Sequence, residues 1–569
     1  MSTTSGRGDR GRWLRALLLL ASSLLLVAFV SGLPVALLPE AGHDDGWFWK
    51  RAASIASGHW MGGYDHSTLS KGPAYPMFLA LAHLAGLSVM TAQAIVYAGA
   101  CLLLGIAVVR SGARPWLGSA MVVAIQWHPA VFAWTRVLRD NIVAAQLLGM
   151  LACLVLFLDA ASAGRRGWGW AAAAGLLGGW FWSTREDGIW IVPGLALLLV
   201  AWLAGCWRDQ AALRRVAVGT GLSCLVFAGW LSLVAAANLA KYDSFVVADT
   251  RDSAFADALS ALQRVRVGEP TPQVPVPRRV REAIYAASPA FSRLRPEFED
   301  GGVAFWQEPS CEVYAHACGD YAGGWFMWAL RDAVQNTGGY ATADDADAFY
   351  RQVAGEIDAA CARGVLTCAP GMGLLPPIAA GQWRTLPAHL RDAAVILAWQ
   401  RNGPGPSASA VDAPGFVPMW TFLGRPMLPD PAHALARGGV PVAAEAAAAL
   451  RRMRHGIGTG YGIVLPWLAL AGLGAFAWAA FDALRRRRLS PLLAIAACAW
   501  GLTVSRAVML ALVDMSAFPA INLNYLQPAF PLLVVAAFAS IAALRVGDRG
   551  GSAPPPREAG SRHARSVGR

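Results

Sequence analysis

Apolar runs that approach or exceed 18 residues recur along this chain, and that is the length an α-helix needs to cross a bilayer. They sit at about 14–38, 91–110, 116–134, 142–160, 168–184, 188–206, 215–237, 461–484, 490–513 and 524–544. A shorter run at 74–88 suits a helix at or partly in the membrane interface. The pattern specifies an α-helical polytopic membrane protein with about ten transmembrane helices. Composition agrees: 56% of the 569 residues are hydrophobic and 15% are charged. A soluble domain this apolar could not present a polar surface to water.

Basic residues set the expected orientation. With the N-terminus inside, 21 arginines fall on the inner side, including the run Arg485 to Arg488. The short outer loops carry six cations: Lys50, Arg51, Lys71, Arg136, Arg139 and Arg185. This asymmetry is the positive-inside rule, and it accounts for most of the net charge of +12. The charge therefore reports topology. It does not point to nucleic acid, for which a soluble basic stripe with aromatics would be needed. The first span has an apolar stretch of about 25 residues and no small-x-small site, so it reads as an uncleaved anchor. Both termini are then cytoplasmic, with the chain in the cell's inner (cytoplasmic) membrane.

The chain divides into a membrane core at 1–237 with a first outer loop at 39–73, an extracytoplasmic domain at 238–458, further transmembrane helices at 459–545, and a basic, disordered tail at 546–569. The domain at 238–458 is long enough, at roughly 220 residues, to build its own core. It holds Cys311, Cys318, Cys361 and Cys368. Four cysteines on an oxidising side suit two disulfides, with three possible pairings. Zinc is the alternative, although the six-residue gaps are wider than zinc motifs use.

Residues 43–73 carry the chemistry. Asp44 and Asp45 stand where the chain leaves the first span. Acids there can serve simply as a helix cap, so the pair alone does not decide between capping and catalysis. Residues 47–57 (WFWKRAASIAS) suit an interfacial helix, with Lys50 and Arg51 available to headgroups. Lys71 then precedes Gly72 and Pro73, which open the next apolar helix. Pro fits a first turn, and the free N–H groups of that turn with Lys71 would form an anion site. A snorkelling anchor is the plainer role for such a lysine. Yet only Lys50, Lys71 and Lys241 are lysines among 48 basic residues. A compact ammonium at this position is therefore a selective choice.

Further ionisable residues fall at the same face. They are Arg136, Arg139 and Asp140 (TRVLRDN), Arg185, Glu186 and Asp187 (STREDG), and Asp514 before the stretch SAFPAINLNYLQPAFP. Arg506 lies about two turns inside a span. Any one of them could be a loop salt bridge. Together they describe a charged cavity open to the outer side.

The order of these motifs resembles the GT-C superfamily of membrane glycosyltransferases, especially the bacterial branch akin to protein O-mannosyltransferases and the lipid A aminoarabinose transferase. The resemblance is carried by Asp44-Asp45, then Gly58-His59-Trp60, then Lys71-Gly72-Pro73-Ala74-Tyr75-Pro76, and finally Tyr525, Pro528 and Pro531 at the last span. It covers roughly 10–237 and 460–545, and nothing in 238–458. It implies sugar transfer from a polyprenyl-phosphate donor to a lipid, glycan or protein acceptor at the outer face, with inversion. Asp44, seconded by Asp45, would be the base; Phe48 follows Asp44 at the family's aromatic position. Lys71, Arg185 and Arg506 would hold the donor phosphate. Glu186, Asp187, Arg139, Asp140 and Tyr525 would support them. Relatives often carry Glu before the Lys, to help hold a divalent metal, and this chain has Ser70 there. Two other classes share the spans: a flippase-like transporter of lipid-linked sugars, and a non-catalytic assembly subunit of the cell envelope. The absence of an internal repeat and the clustering of charge at one face set the chain apart from transporters.

Overall fold

The computed structural model describes residues 5–33, 35, 42–133, 136–251, 253–370, 376, 378, 381–399, 416–424 and 441–544. The expected tail at 546–569 lies outside them. Among the described residues the regular structure is helical, with no strand beyond a single bridge between Val265 and Cys368. Seven helices among the described residues are long and apolar enough to cross a membrane: Gly11–Ser31, Val89–Arg110, Asp140–Ser162, Gly188–Cys206, Gln210–Tyr242, Arg452–Arg486 and Pro491–Ser516. The protein is a polytopic helical membrane protein.

The other three expected spans are helical but short. Pro115–Gln126 has 12 residues, Trp168–Trp182 has 15 and Ala529–Leu544 has 16. Prolines account for two of the differences. Pro129 has no N–H to continue the helix past Gln126, and a 3-10 turn, Pro129–Ala133, takes over. Pro528 likewise separates Leu523–Leu526 from the last helix. At 1.5 Å per residue, 16 residues rise only about 24 Å, against a hydrocarbon core of about 30 Å.

The helices α1 (Ser5–Ser31), α2 (Trp47–Ala56), α3 (Ala74–Leu84), α4 (Val89–Arg110), α5 (Pro115–Gln126), α6 (Asp140–Ser162), α7 (Trp168–Trp182), α8 (Val192–Cys206) and α9 (Gln210–Tyr242) build the N-terminal part. Helix α6 is the central post, and 94% of its apolar window is buried between α4 and α7. Helix α1 instead leaves Leu14, Leu17, Leu18, Leu24 and Leu25 exposed, as a lipid-facing helix should. Small residues set the closest approaches. A Cβ on Gly194 of α8 would lie 2.4 Å from Leu502, so α8 packs backbone-close on Pro491–Ser516. The expected interfacial helix at 74–88 is α3, and it ends earlier, at Leu84, before Gly86 turns with positive φ.

Residues 254–366 have a separate core that includes Phe255, Leu262, Ile284, Phe291, Phe326 and Tyr350. Cys311 pairs with Cys318 and Cys361 with Cys368, which selects one of the three possible pairings. The unit docks on the end of the bundle. Gln273 Nε2 donates to Met515 O at 2.9 Å; His389, in the helix Leu386–Trp399 that follows the unit, meets Asp514 at 2.8 Å. The 461–484 span belongs to a longer helix, Pro441–Arg486, so the expected boundary at 458 falls inside a helix.

Candidate active site at the bundle end

A π-helical turn, Gly42–Gly46, carries Asp44 and Asp45 directly into α2. The loop after α2 is then folded around one side chain. Arg51 donates to Met61 O at 2.8 Å, Gly63 O at 3.1 Å and Asp65 Oδ2 at 2.8 Å. Arg51 is therefore an internal clamp on residues 61–68 and not the headgroup contact its position suggested. Lys50 is the exposed one. Positive φ at Gly58, Trp60 and Gly62 lets the chain double back and deliver Lys71 beside Asp44.

Gly72 fixes where that lysine sits. A Cβ there would lie 2.0 Å from the carbonyl oxygen of Ser183, so the start of α3 is pressed against the end of α7. The Gly72 N–H donates to Glu186 Oε1 at 3.0 Å, and the Ala74 N–H to Ser183 O at 3.3 Å. This corrects the expectation that the N–H groups of that turn stand open for an external anion. The local field does draw an anion there, but Glu186 supplies it.

Around this junction every carboxylate faces a cation. Lys71 Nζ is paired with Asp44 Oδ1. Asp45 is wholly buried and takes both ends of the Arg136 guanidinium, at 2.8 and 3.1 Å. Arg139 holds Glu186 at 2.6 Å. Arg185 bridges Asp140 at 2.5 Å and Asp187 at 2.7 and 2.8 Å, and Asp187 passes on to Arg506 at 2.7 Å. Arg506 also donates to Tyr525 O at 2.9 Å, while its buried Nη2 makes no hydrogen bond to any described residue. The Arg185 guanidinium lies 5.7 Å over the Tyr525 ring.

These pairings tune the groups. Burial pushes the Lys71 ammonium below the usual lysine range and Arg139 adds repulsion, against the pull of Asp44. Burial would raise Glu186, but Arg139 and the Gly72 N–H outweigh it and hold its carboxyl below the ordinary range. Asp187 is held well below, because Arg185 and Arg506 overcome its burial. Burial moves the Tyr525 phenol up to about 12. The two acids of the STREDG loop are thus held below the ordinary carboxylate range by the arginines beside them. Asp44 and Asp187 are its most exposed acids, at 34% and 31% of the side chain.

The residues given a role in the site from the sequence meet here: Asp44, Asp45, Lys71, Arg139, Asp140, Arg185, Glu186, Asp187, Arg506 and Tyr525; Asp514 does not, being held by His389 and by the N–H groups of Ala520 and Ile521. The block of cysteines lies in the docked unit. Three participants were not singled out for a role. Arg136 reads in the sequence only as a loop charge, and its partner is 91 positions away. Arg251 donates to Glu186 O at 2.9 Å and Arg185 O at 2.6 Å, and stacks 4.3 Å over Trp182. Trp328 comes from the docked unit and lies 5.5 Å from Lys71 Nζ. None carries a local sequence signal, because each acts across long separations. Among the described residues no group of three His, Cys, Asp or Glu could hold a metal ion. The acids at hand do not fit one, since a metal would have to displace Lys71 or Arg136. Ser70 is buried and donates to Ser67 O at 2.6 Å, serving the turn.

No protein-family model matches the chain, and no curated protein matches it. Two solved structures are similar. The crystal structure of ArnT from Cupriavidus metallidurans in the apo state is 14% identical, with a TM-score of 0.30, over 94% of this chain and 78% of that one. The same protein bound to undecaprenyl phosphate gives 15% and 0.29 over the same shares.

Proposed function

We propose that the protein is a membrane glycosyltransferase. It moves a sugar from a polyprenyl-phosphate donor to an acceptor hydroxyl at the outer face of the cytoplasmic membrane, with inversion. The observation that carries this reading is the Lys71–Asp44 pair, set at the end of a lipid-exposed bundle and backed by the buried Arg506. A cation and a base side by side are what the reaction needs. The acceptor oxygen attacks the anomeric carbon and the bond from that carbon to the phosphate oxygen breaks. The acceptor proton goes to Asp44, and polyprenyl phosphate leaves with its added charge on Lys71. The unmatched Nη2 of Arg506 gives a second donor for the phosphate. Arg185 and Arg139 shape the wall through their own carboxylates.

Lys71 is paired with Asp44. A phosphate that engages Lys71 takes over the ammonium and releases the carboxylate as a base, so donor binding precedes proton removal. The test is turnover in membranes containing the protein. Release of polyprenyl phosphate from a labelled lipid-phosphate sugar is followed for the parent and for Lys71→Met. Product from the parent and a loss of at least tenfold in the variant are expected. Labelled lipid moved across the bilayer without product would instead make the protein a transporter.

A further inference from the structure

The helix Gly323–Asn336 belongs to the docked unit, yet one face of it is laid along the loop that carries Lys71. Residues 328, 331, 332 and 335 share that face by helical spacing. Arg331 Nη1 donates to His66 O at 2.8 Å and is paired with Asp249. Asp332 meets His66 Nε2 at 3.0 Å, and Gln335 accepts from the His66 N–H at 3.2 Å. Trp328 completes the row, buried, with its ring 5.5 Å from the Lys71 ammonium. Phe48 and Trp47 stand at 5.1 and 5.9 Å from the same nitrogen. Two rings of this box come from α2, next to the acids. The third comes from 257 positions beyond Lys71 and is present only because the unit docks.

We propose that Trp328 is a positioning residue that holds the Lys71 ammonium in place and charged, so that the docked unit completes the cation site. Calling that cation the phosphate-binding group rests on the function proposed above. The physical case is independent of it. A buried ammonium loses hydration, and aromatic faces return part of the lost stabilisation to the charged form only. Among the charged groups facing Lys71, Asp44 and Glu186 favour its charge and Arg139 opposes it. Trp328 adds attraction without adding a competing carboxylate. A tryptophan that only fills space would, when cut back, leave the Lys71 midpoint where it is or let water in and raise it, the opposite of the fall expected here.

The chain has three lysines, so each can be read separately by mass spectrometry after pulse labelling with a small amine reagent. Full-length protein in nanodiscs is labelled across a pH series, and each lysine gives a titration midpoint. In Trp328→Leu the Lys71 midpoint should fall by about one pH unit, while Lys50 and Lys241 stay where they are. Trp328→Phe, which keeps an aromatic face, should recover most of the shift. If Trp328→Leu does not fold, Trp328→Met removes the ring and leaves a flexible, unbranched side chain that can fit the gap, and the same fall is expected. A Lys71 midpoint equal to the parent's in the folded ring-less variant overturns the proposal. Binding of farnesyl phosphate, a short prenyl phosphate, is measured on the same samples. A shifted midpoint with no binding even by the parent would keep the positioning role and remove the phosphate reading.

Discussion

Asp44 and Asp45 are neighbours in sequence, but their carboxylates serve different cations. Asp44 is a third exposed and faces Lys71; Asp45 is buried and clasped by Arg136. The sequence placed the acids together and could not separate them, because the separation is made by an arginine 91 positions away. Two predictions follow the split. Asp44→Asn should cut turnover by roughly 10²–10⁴-fold, the usual worth of a general base. It should also tighten polyprenyl phosphate binding, since the competitor for Lys71 loses its charge. Equilibrium binding and single-turnover rates on one preparation would check both, and weaker binding would reject the exchange of partners. Asp45→Asn should act on stability. Removing one partner of a buried pair costs about 3–5 kcal/mol. Thermal unfolding in detergent should show it, and Arg136→Gln added to Asp45→Asn should restore part of the loss. If Asp45→Asn were stable yet as inactive as Asp44→Asn, the base would have to be reassigned.

At the scale of elements, the apolar pattern located the helices well and their ends less well. Length in the membrane is set by proline and by packing, neither of which a run of apolar residues reports. Pro129 and Pro528 each shorten a run that reads as continuous. Arg51 shows the same limit for polar residues: a cation on an interfacial helix can turn to the headgroups or back into its own loop, and Asp65 decides. The junction of α3 and α7 is the element contact on which the site depends most. Gly72→Ala should be strongly destabilising, because the new methyl meets a backbone carbonyl that cannot rotate away. The Gly72–Glu186 hydrogen bond would be lost in the same step. We expect a large drop in folded yield, read by size-exclusion profile, with any folded fraction less active than the parent. By contrast Gly63→Ala, where a Cβ would meet nothing within 4 Å, should behave like the parent.

For the whole molecule, the two ends of the bundle are distinct. At one end lie Asp44, Lys71, Arg185 and the docked unit. At the other, Arg110 and Arg165 share Asp159, and the end of α8 lies against the backbone of Leu489, beside Arg485 to Arg488. Helix α6 joins the two, with Asp140 in the site and Asp159 at the far end, about 29 Å apart at 1.5 Å per residue. What the sequence left unread is the role of residues 254–366: a helical unit with its own core gives no sign in its composition that one of its tryptophans reaches a lysine of the first loop. The partition makes a definite forecast. Reporter fusions after residues 165 and 487 should report the same compartment, and one after residue 300 the opposite one. By the positive-inside rule the shared compartment should be the cytoplasm. A fusion after 300 that matched the one after 165 would contradict the arrangement of α6 itself. A reversed pair, with 300 cytoplasmic, would leave the fold intact but move the Lys71 site to the inner face, where the acceptor would have to be a cytoplasmic one.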